Sequence, residues 1–247
     1  MSEQIWLPYC GGAPQPAELF ARWNLDPILL AILLLAAALG LVRTAKYPRE
    51  RTRFAAAIAV VLLLFVSPLC ALTSALFAAR SAHHVLLTTL MAFLLAASVP
   101  RQRLATLPGS LSVWMALSAF ALWAWHAPPL YAAALSNDLV YWAMQISLLA
   151  TATGFWASVR WAAPGGAIVA LLTYMVQMGL LGALLSFSTS AFYAPHALTT
   201  AAWGMSPLED QQLGGIIMWV PGAAAYLIAA LARMHELLGE EREPARA

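Results

Sequence analysis

The chain has 247 residues, of which 62% are hydrophobic and 10% charged, with a mean hydropathy of +0.75. A soluble domain carries roughly 25% charged residues, so this composition excludes a soluble surface and indicates an integral membrane protein. The formal net charge of +2 says little, because orientation depends on where the charges sit.

Residues 1–26 are polar and mixed and are read as an outer N-terminal tail. They lack a basic region followed by an apolar core and a small-residue cleavage site, so no cleaved signal peptide is expected. The first apolar run covers 27–42. Arg43, Lys46, Arg49, Arg51 and Arg53 follow, against the single acid Glu50. Further spans are expected at 54–79 (interrupted by Pro68), 83–99, 111–131, 139–159, 165–187 and 214–238. Each is close to the length that crosses a bilayer.

The expected fold is therefore all-α: one transmembrane bundle of seven helices over 27–238, with a charged tail over 239–247. Positive residues favour the cytoplasmic side. The basic loop after the first span, Arg101 with Arg103, and Arg160 fall at every second connection. That pattern puts the N-terminus outside and the C-terminus in the cytoplasm. Two cysteines, Cys10 and Cys70, are too few for a disulfide framework and form no CxxC pair; whether they meet is left open. No nucleotide loop, dinucleotide fingerprint or hydrolase elbow occurs, and no nucleic-acid partner is expected.

This topology sorts the histidines. His83 and His84 open the third span at its outer end, His126 lies near the outer end of the fourth, and His196 lies in the outer connection before the seventh. Only His235 falls on the inner side. Adjacent helical residues point about 100° apart, so His83 and His84 cannot both face one point. His84 shares a stripe with Thr88 and Met91 and is read as the inward one. His83 shares a stripe with Leu87 and Leu90, a more lipid-like face, and is read as a rim ligand.

The seventh span opens on Pro207-Leu-Glu-Asp-Gln-Gln-Leu-Gly-Gly215. Ser206 as N-cap, Pro207 at the first position and Glu209 and Asp210 in the first turn describe a helix start. Asp210, Gly214 and Met218 also share one stripe, and Gly214 with Gly215 permits close backbone approach. Imidazole suits copper, zinc and iron, and thioether favours Cu(I). The candidate metal set is His84, His126 and Asp210, with His83, His196 or a methionine completing it. Asp210 serves either as ligand or as the group that orients a histidine. Met205, Met218, Gln211, Trp125 and Met91 are secondary candidates, although methionine is also a common core filler and Trp125 suits an interfacial aromatic belt.

Three segments together carry a resemblance: His83-His84-Val-Leu-Leu87, Trp125-His126-Ala-Pro-Pro-Leu-Tyr131, and Trp203-Gly-Met-Ser-Pro-Leu-Glu-Asp-Gln-Gln-Leu-Gly-Gly-Ile-Ile-Met-Trp219-Val-Pro221. They resemble the CtaG family of multi-spanning assembly factors for caa3-type cytochrome c oxidases, over most of the chain. The resemblance implies a non-enzymatic protein of the bacterial cytoplasmic membrane that supports oxidase maturation by handling copper. Its partners would be oxidase subunits, membrane lipid and a second copy of itself. Many relatives carry a further histidine a turn into the third span and one within the fifth, where this chain has Leu87 and Met144-Gln145. Two alternatives stand beside copper: a haem held between His84 and His126, and a transporter using Gln177, Tyr174 and the outer histidines. The transporter is the weaker, because no ionisable residue lies at the middle of a span.

Overall fold

The computed structural model describes residue 6, residues 8–104, residue 106 and residues 108–242. Residues 243–247 of the expected cytoplasmic tail lie outside the described residues. Those described form helices, turns and loops, with no strand among them.

Among the described residues nine α-helices of seven residues or more follow in order, with a four-residue helix Arg101–Leu104 between the fourth and fifth: α1 Pro27–Arg43, α2 Pro48–Phe65, α3 Pro68–Ala75, α4 Phe77–Ala97, α5 Leu111–His126, α6 Pro128–Ala134, α7 Asp138–Trp161, α8 Pro164–Ser186 and α9 from Pro207 to Arg242. Six of them open on proline, whose fixed φ and missing N–H suit a first helical position. Side chains complete several starts. Asp26 accepts from Ile28 N at 2.8 Å, and Asn137 accepts from Leu139 N at 2.9 Å. Ser206 and Glu209 close a capping box at the start of α9.

The seven predicted apolar segments are all helical, with changed boundaries. The second is broken at Pro68, where α2 and α3 meet at 45°. The third begins at Phe77, six residues before His83, because Leu76 is extended and ends α3. The fourth stops at His126; Ala127 is extended, as a residue before proline prefers, and α6 follows. The seventh begins at Pro207 and stays helical to Arg242, so residues 239–242 continue it. By length and composition α4, α8 and α9 are able to cross a membrane, and the bent pair α2–α3 makes a fourth if it is one span. α1 and α5 are apolar but shorter. The sixteen residues of α5 rise about 24 Å, less than the roughly 30 Å hydrocarbon core.

Two helices carry a wide π-type turn. In α9 it spans Met218–Gly222, at Pro221, which has no N–H to give and whose ring displaces the carbonyl one turn back. In α4 it spans Leu87–Met91. There Thr88 and Thr89 hydroxyls bond the carbonyls of His84 and Val85, and Trp156 Nε1 donates to Thr88 O at 2.9 Å. Donors inserted into the carbonyl ladder widen a helix.

α4 fixes the two ends of the bundle. Its C-terminal carbonyls are taken by arginines: Arg53 reaches Ala97 O, and Arg160 reaches Ala96 O and Val99 O. Cations at a helix C-terminus oppose the negative end of the dipole. His84 lies thirteen residues earlier, about 20 Å away along the axis. The basic loops and the histidines therefore stand at opposite ends.

Residues 8–26 are not a free tail, while residues 1–5 and 7 of the expected outer tail lie outside the described residues. Cys10 and Cys70 form a disulfide with their Cα atoms 5.4 Å apart. Tyr9 stacks on Tyr141 and meets Trp142 edge-on, and its hydroxyl donates to Asp26. The segment is thus stapled to the histidine end of the bundle.

α8 and α9 approach backbone to backbone. A Cβ placed on Gly215 would lie 2.6 Å from Gly182 O, and one on Gly182 would lie 2.8 Å from Gly215 O. Small residues permit this approach in membrane bundles. Gly215→Leu is expected to cost roughly 1–3 kcal/mol or more through overpacking. Leu213→Ala, at a 40% exposed position, is expected to cost far less. Thermal unfolding in detergent measures both, and equal unfolding temperatures would contradict the close approach.

Candidate functional site

The site begins with the start of α4. No side chain near Leu76 caps it. Instead Asp210, from the first turn of α9, accepts from Phe77 N at 2.7 Å and Ala78 N at 3.0 Å, one bond to each carboxylate oxygen. A carboxylate on a helix N-terminus satisfies orphan donors and meets the positive end of the dipole. Gly214, one turn on, leaves room for Phe77: a Cβ there would lie 2.5 Å from its ring. Asp210 and Gly214 together seat the start of α4 against α9.

Phe77 then carries the next layer. It stacks on Tyr193 at 4.0 Å between centroids and meets His126 and His196 edge-on. The Tyr193 hydroxyl donates to His126 O at 2.9 Å, and Thr199 donates to Ala75 O at 2.6 Å. Gln211 accepts from Phe192 N at 2.7 Å and donates to Ser190 O at 3.1 Å. The connection between α8 and α9 is thereby laced down over the break between α3 and α4.

Beneath it lie four buried histidines. His84 and His126 stand edge to face with centroids 5.4 Å apart, and His83 lies 5.8 Å from His84. His126 Nδ1–H donates to Leu122 O at 2.7 Å, which leaves Nε2 as the nitrogen with a free lone pair. That Nε2 and both ring nitrogens of His83 and of His84 are buried without a hydrogen-bond partner. Buried polar atoms are normally paired, so five free imidazole nitrogens in one cluster need a task. His196 has its Nε2 in a 2.6 Å hydrogen bond with the Tyr131 hydroxyl, and its Nδ1 is likewise buried without a partner. Burial, with the charge of Arg80 added, pushes His196 down to about 3, so it is neutral.

Arg80 is the residue that sequence reasoning passed over. It is fully buried one turn before His84 and electrostatically next to His83, His84, His196, Tyr131 and Tyr141. One nitrogen donates to Thr73 O at 3.2 Å, and the guanidinium lies 5.4 Å from the centre of the Tyr141 ring. Its Nε and Nη1 are unpartnered, and among the described residues no carboxylate pairs with it. A guanidinium does not give up its proton, so the cluster holds a fixed, buried positive charge.

The structure sorts the predicted residues. His83, His84 and His126 come together. His83 does not face lipid: it is buried against Phe65 at 5.0 Å, because α4 is enclosed on that side too. Asp210 has both oxygens on backbone N–H groups, and none of its hydrogen bonds goes to a histidine. Gln211 holds the loop, and Trp125 donates to Ser147 Oγ at 2.8 Å. Met205 packs beside Leu76 and Ala79, Met218 is buried in the wide turn of α9, and Met91 is buried in that of α4. Among the described residues, no three His, Cys, Asp or Glu side chains group closely enough to hold a metal ion as they stand.

A family model described as cytochrome c oxidase caa3 assembly factor (Caa3_CtaG) matches residues 32–239. The chain belongs to that family. The match spans α1 to α9 and so includes every histidine of the cluster. Neither the curated proteins nor the solved structures gave a match. For this caa3 assembly factor, the helix-capping position of Asp210 has a measurable consequence. Asp210→Asn keeps one acceptor oxygen and loses the other with the charge. Its expected cost is about 1–3 kcal/mol of stability, with Asp210→Ala worse, measured by thermal unfolding in detergent. An Asp210→Asn protein that unfolds at the wild-type temperature would refute the cap.

Proposed function

We propose that this assembly factor binds copper transiently at the outer end of its bundle and hands it on during maturation of a caa3-type oxidase. His84 and His126 are the principal ligands, and His83 joins them only when its ring turns toward them, since the three do not group closely enough as they stand. The observation that carries this reading is the group of five buried, unpartnered imidazole nitrogens. Imidazole is a good copper ligand, and neutral rings need lose no proton to bind a cation. A copper ion bound between the rings would satisfy nitrogens that nothing in the protein satisfies. The edge-to-face setting of His84 and His126 favours a small ion over haem, which needs its two ligands on opposite faces of one plane. Asp210 acts by holding α4, not by ligation.

The proposal places the protein in a bacterial cytoplasmic membrane with all seven segments crossing it. The N-terminus and the histidines are outside, and the C-terminus is in the cytoplasm. Two observations support that orientation. Arg53 and Arg160 bond the C-terminal end of α4, away from the histidines, as the positive-inside rule favours. The Cys10–Cys70 disulfide stands at the other end, and disulfides persist in oxidising compartments such as the periplasm. Arg80 adds a condition. A fixed cation beside the rings repels a bound copper ion and weakens its retention, which suits delivery better than storage.

The test is copper per protein after anaerobic Cu(I) loading, with oxidase activity in cells as the second readout. His84→Ala and His126→Ala should each weaken copper binding by more than the roughly 10–100-fold that loss of an outer-shell partner costs, and should lower oxidase activity. His235→Ala, remote from the cluster, should change neither. Arg80→Gln should retain copper more tightly. Full copper and full oxidase activity in both His84→Ala and His126→Ala would refute the site.

A further inference from the structure

A cavity of about 600 Å³ lies beside the histidine cluster and opens sideways between α1, α2 and α7. Ile28, Ile32 and Ile146 border it and are 60–70% exposed. In a membrane these positions face the acyl chains, so the opening is toward lipid. Its volume lies within the range of small-molecule sites, roughly 300–1,000 Å³.

The deep wall carries one polar group, Gln145, which is 2% exposed. Neither its amide oxygen nor its amide nitrogen has a hydrogen-bond partner. His83 of α4 and Tyr141 lie beside the amide, but neither is in hydrogen-bond geometry with it, where an interhelical amide would be paired. Asp138 is seven residues earlier on α7, so the amide lies about 10 Å in from the start of that helix. A buried amide at that depth costs free energy unless a ligand meets it.

The walls restrict the ligand. Phe65 and Trp142 stack at 5.6 Å, and Tyr9 meets Trp142 edge-on at 5.1 Å, so one side of the cavity is aromatic. Among the described residues that line it, the only charged ones are Asp26 and Asp138, both acids. Asp26 is already bonded to Tyr9 and to the start of α1. Phosphate headgroups are thereby disfavoured, for want of a cation and by repulsion. What fits is a neutral flat ring with oxygen substituents and a long apolar tail that leaves sideways into the bilayer. A carboxamide offers both a donor and an acceptor, so it meets a ring carbonyl or a ring hydroxyl equally well.

We propose that this crevice is a binding site for an isoprenoid quinone or its quinol, with the ring oxygen on Gln145 and the ring against Phe65 and Trp142. The site adjoins the histidine cluster, with Phe65 5.0 Å from His83, but does not rest on the copper reading. The claim is one of binding, with no electron transfer assigned.

The experiment uses the purified full-length protein in detergent and decylubiquinone as the probe, with binding read by native mass spectrometry and by the shift in unfolding temperature. Decanol supplies the tail without the ring, and phosphatidylcholine supplies the bilayer lipid. Decylubiquinone should bind and the other two should bind at least tenfold more weakly. Gln145→Leu, similar in size and apolar, should lower decylubiquinone affinity roughly tenfold by removing its hydrogen bonds. Ile32→Trp fills the opening from a lipid-facing position, so the fold should survive while binding is lost. Equal binding of decanol, of phosphatidylcholine, or of decylubiquinone to wild type and both variants would overturn the proposal and leave an ordinary lipid crevice. Copper loading of the same variants is a separate readout, so failure of the quinone site and failure of the copper site are told apart.

Discussion

The bond on which this architecture depends is the carboxylate of Asp210 on the first two amides of α4. It joins the last helix of the chain to the helix that bears His83 and His84, across 132 and 133 residues of sequence. Hydrogen bonds to a charged group contribute about 1.5–3 kcal/mol each, more than a typical neutral pair, and here both are buried. Gly214 brings Phe77 close to α9 and Gly215 brings α8 close, so a single turn of α9 sets the positions of two neighbouring helices. Through Phe77 the same turn positions Tyr193, and through Tyr193 the carbonyl of His126.

What this frame encloses is costly. Three histidines with free ring nitrogens, a lone guanidinium and an unpaired amide are buried in a protein otherwise rich in Leu and Ala. Elsewhere several polar groups are satisfied, Ser118 with Tyr174, Trp156 with Thr88 and the arginines with the end of α4, while single hydroxyl and indole groups such as Ser81, Thr153 and Trp123 are not. Polar groups inside a membrane bundle that are not paired mark pathways and sites. Among the described residues most of the unpaired groups lie near the histidine end, with Thr153, Tyr226 and Arg233 outside that group.

Much of this was legible in the sequence. The seven apolar runs are helices because their composition leaves no other way to satisfy the backbone. The basic loops gather at one end because their spacing alternates with the spans. His84 and His126 meet because the third and fourth runs place them at corresponding depths. The start of α4 was not legible. Its cap comes from Asp210 and not from a local Ser or Asp, so 77–79 read as the end of the second span and 80–82, with Arg80, as a connection. With the helix starting at Phe77, Arg80 falls at i−4 from His84, on its face. His83 was assigned to a lipid face by its stripe, but α4 is packed on that side as well, and no periodicity reports how many neighbours surround a helix. Asp210 read as a ligand because carboxylates bind metals; nothing local distinguishes that task from capping a helix far away in sequence. The pairing of Cys10 with Cys70 depends on the fold of the N-terminal segment and has no signature in spacing.

The central claim is that imidazoles, and not the nearby methionines or the two cysteines, hold the copper. X-ray absorption at the copper edge of the Cu(I)-loaded, disulfide-intact protein tests it most directly. The account predicts a nearest shell of nitrogen at about 2 Å, near the metal–imidazole distance known for zinc, with the outer-shell scattering of imidazole rings. Sulfur alone in the nearest shell, with no imidazole signature, would contradict it.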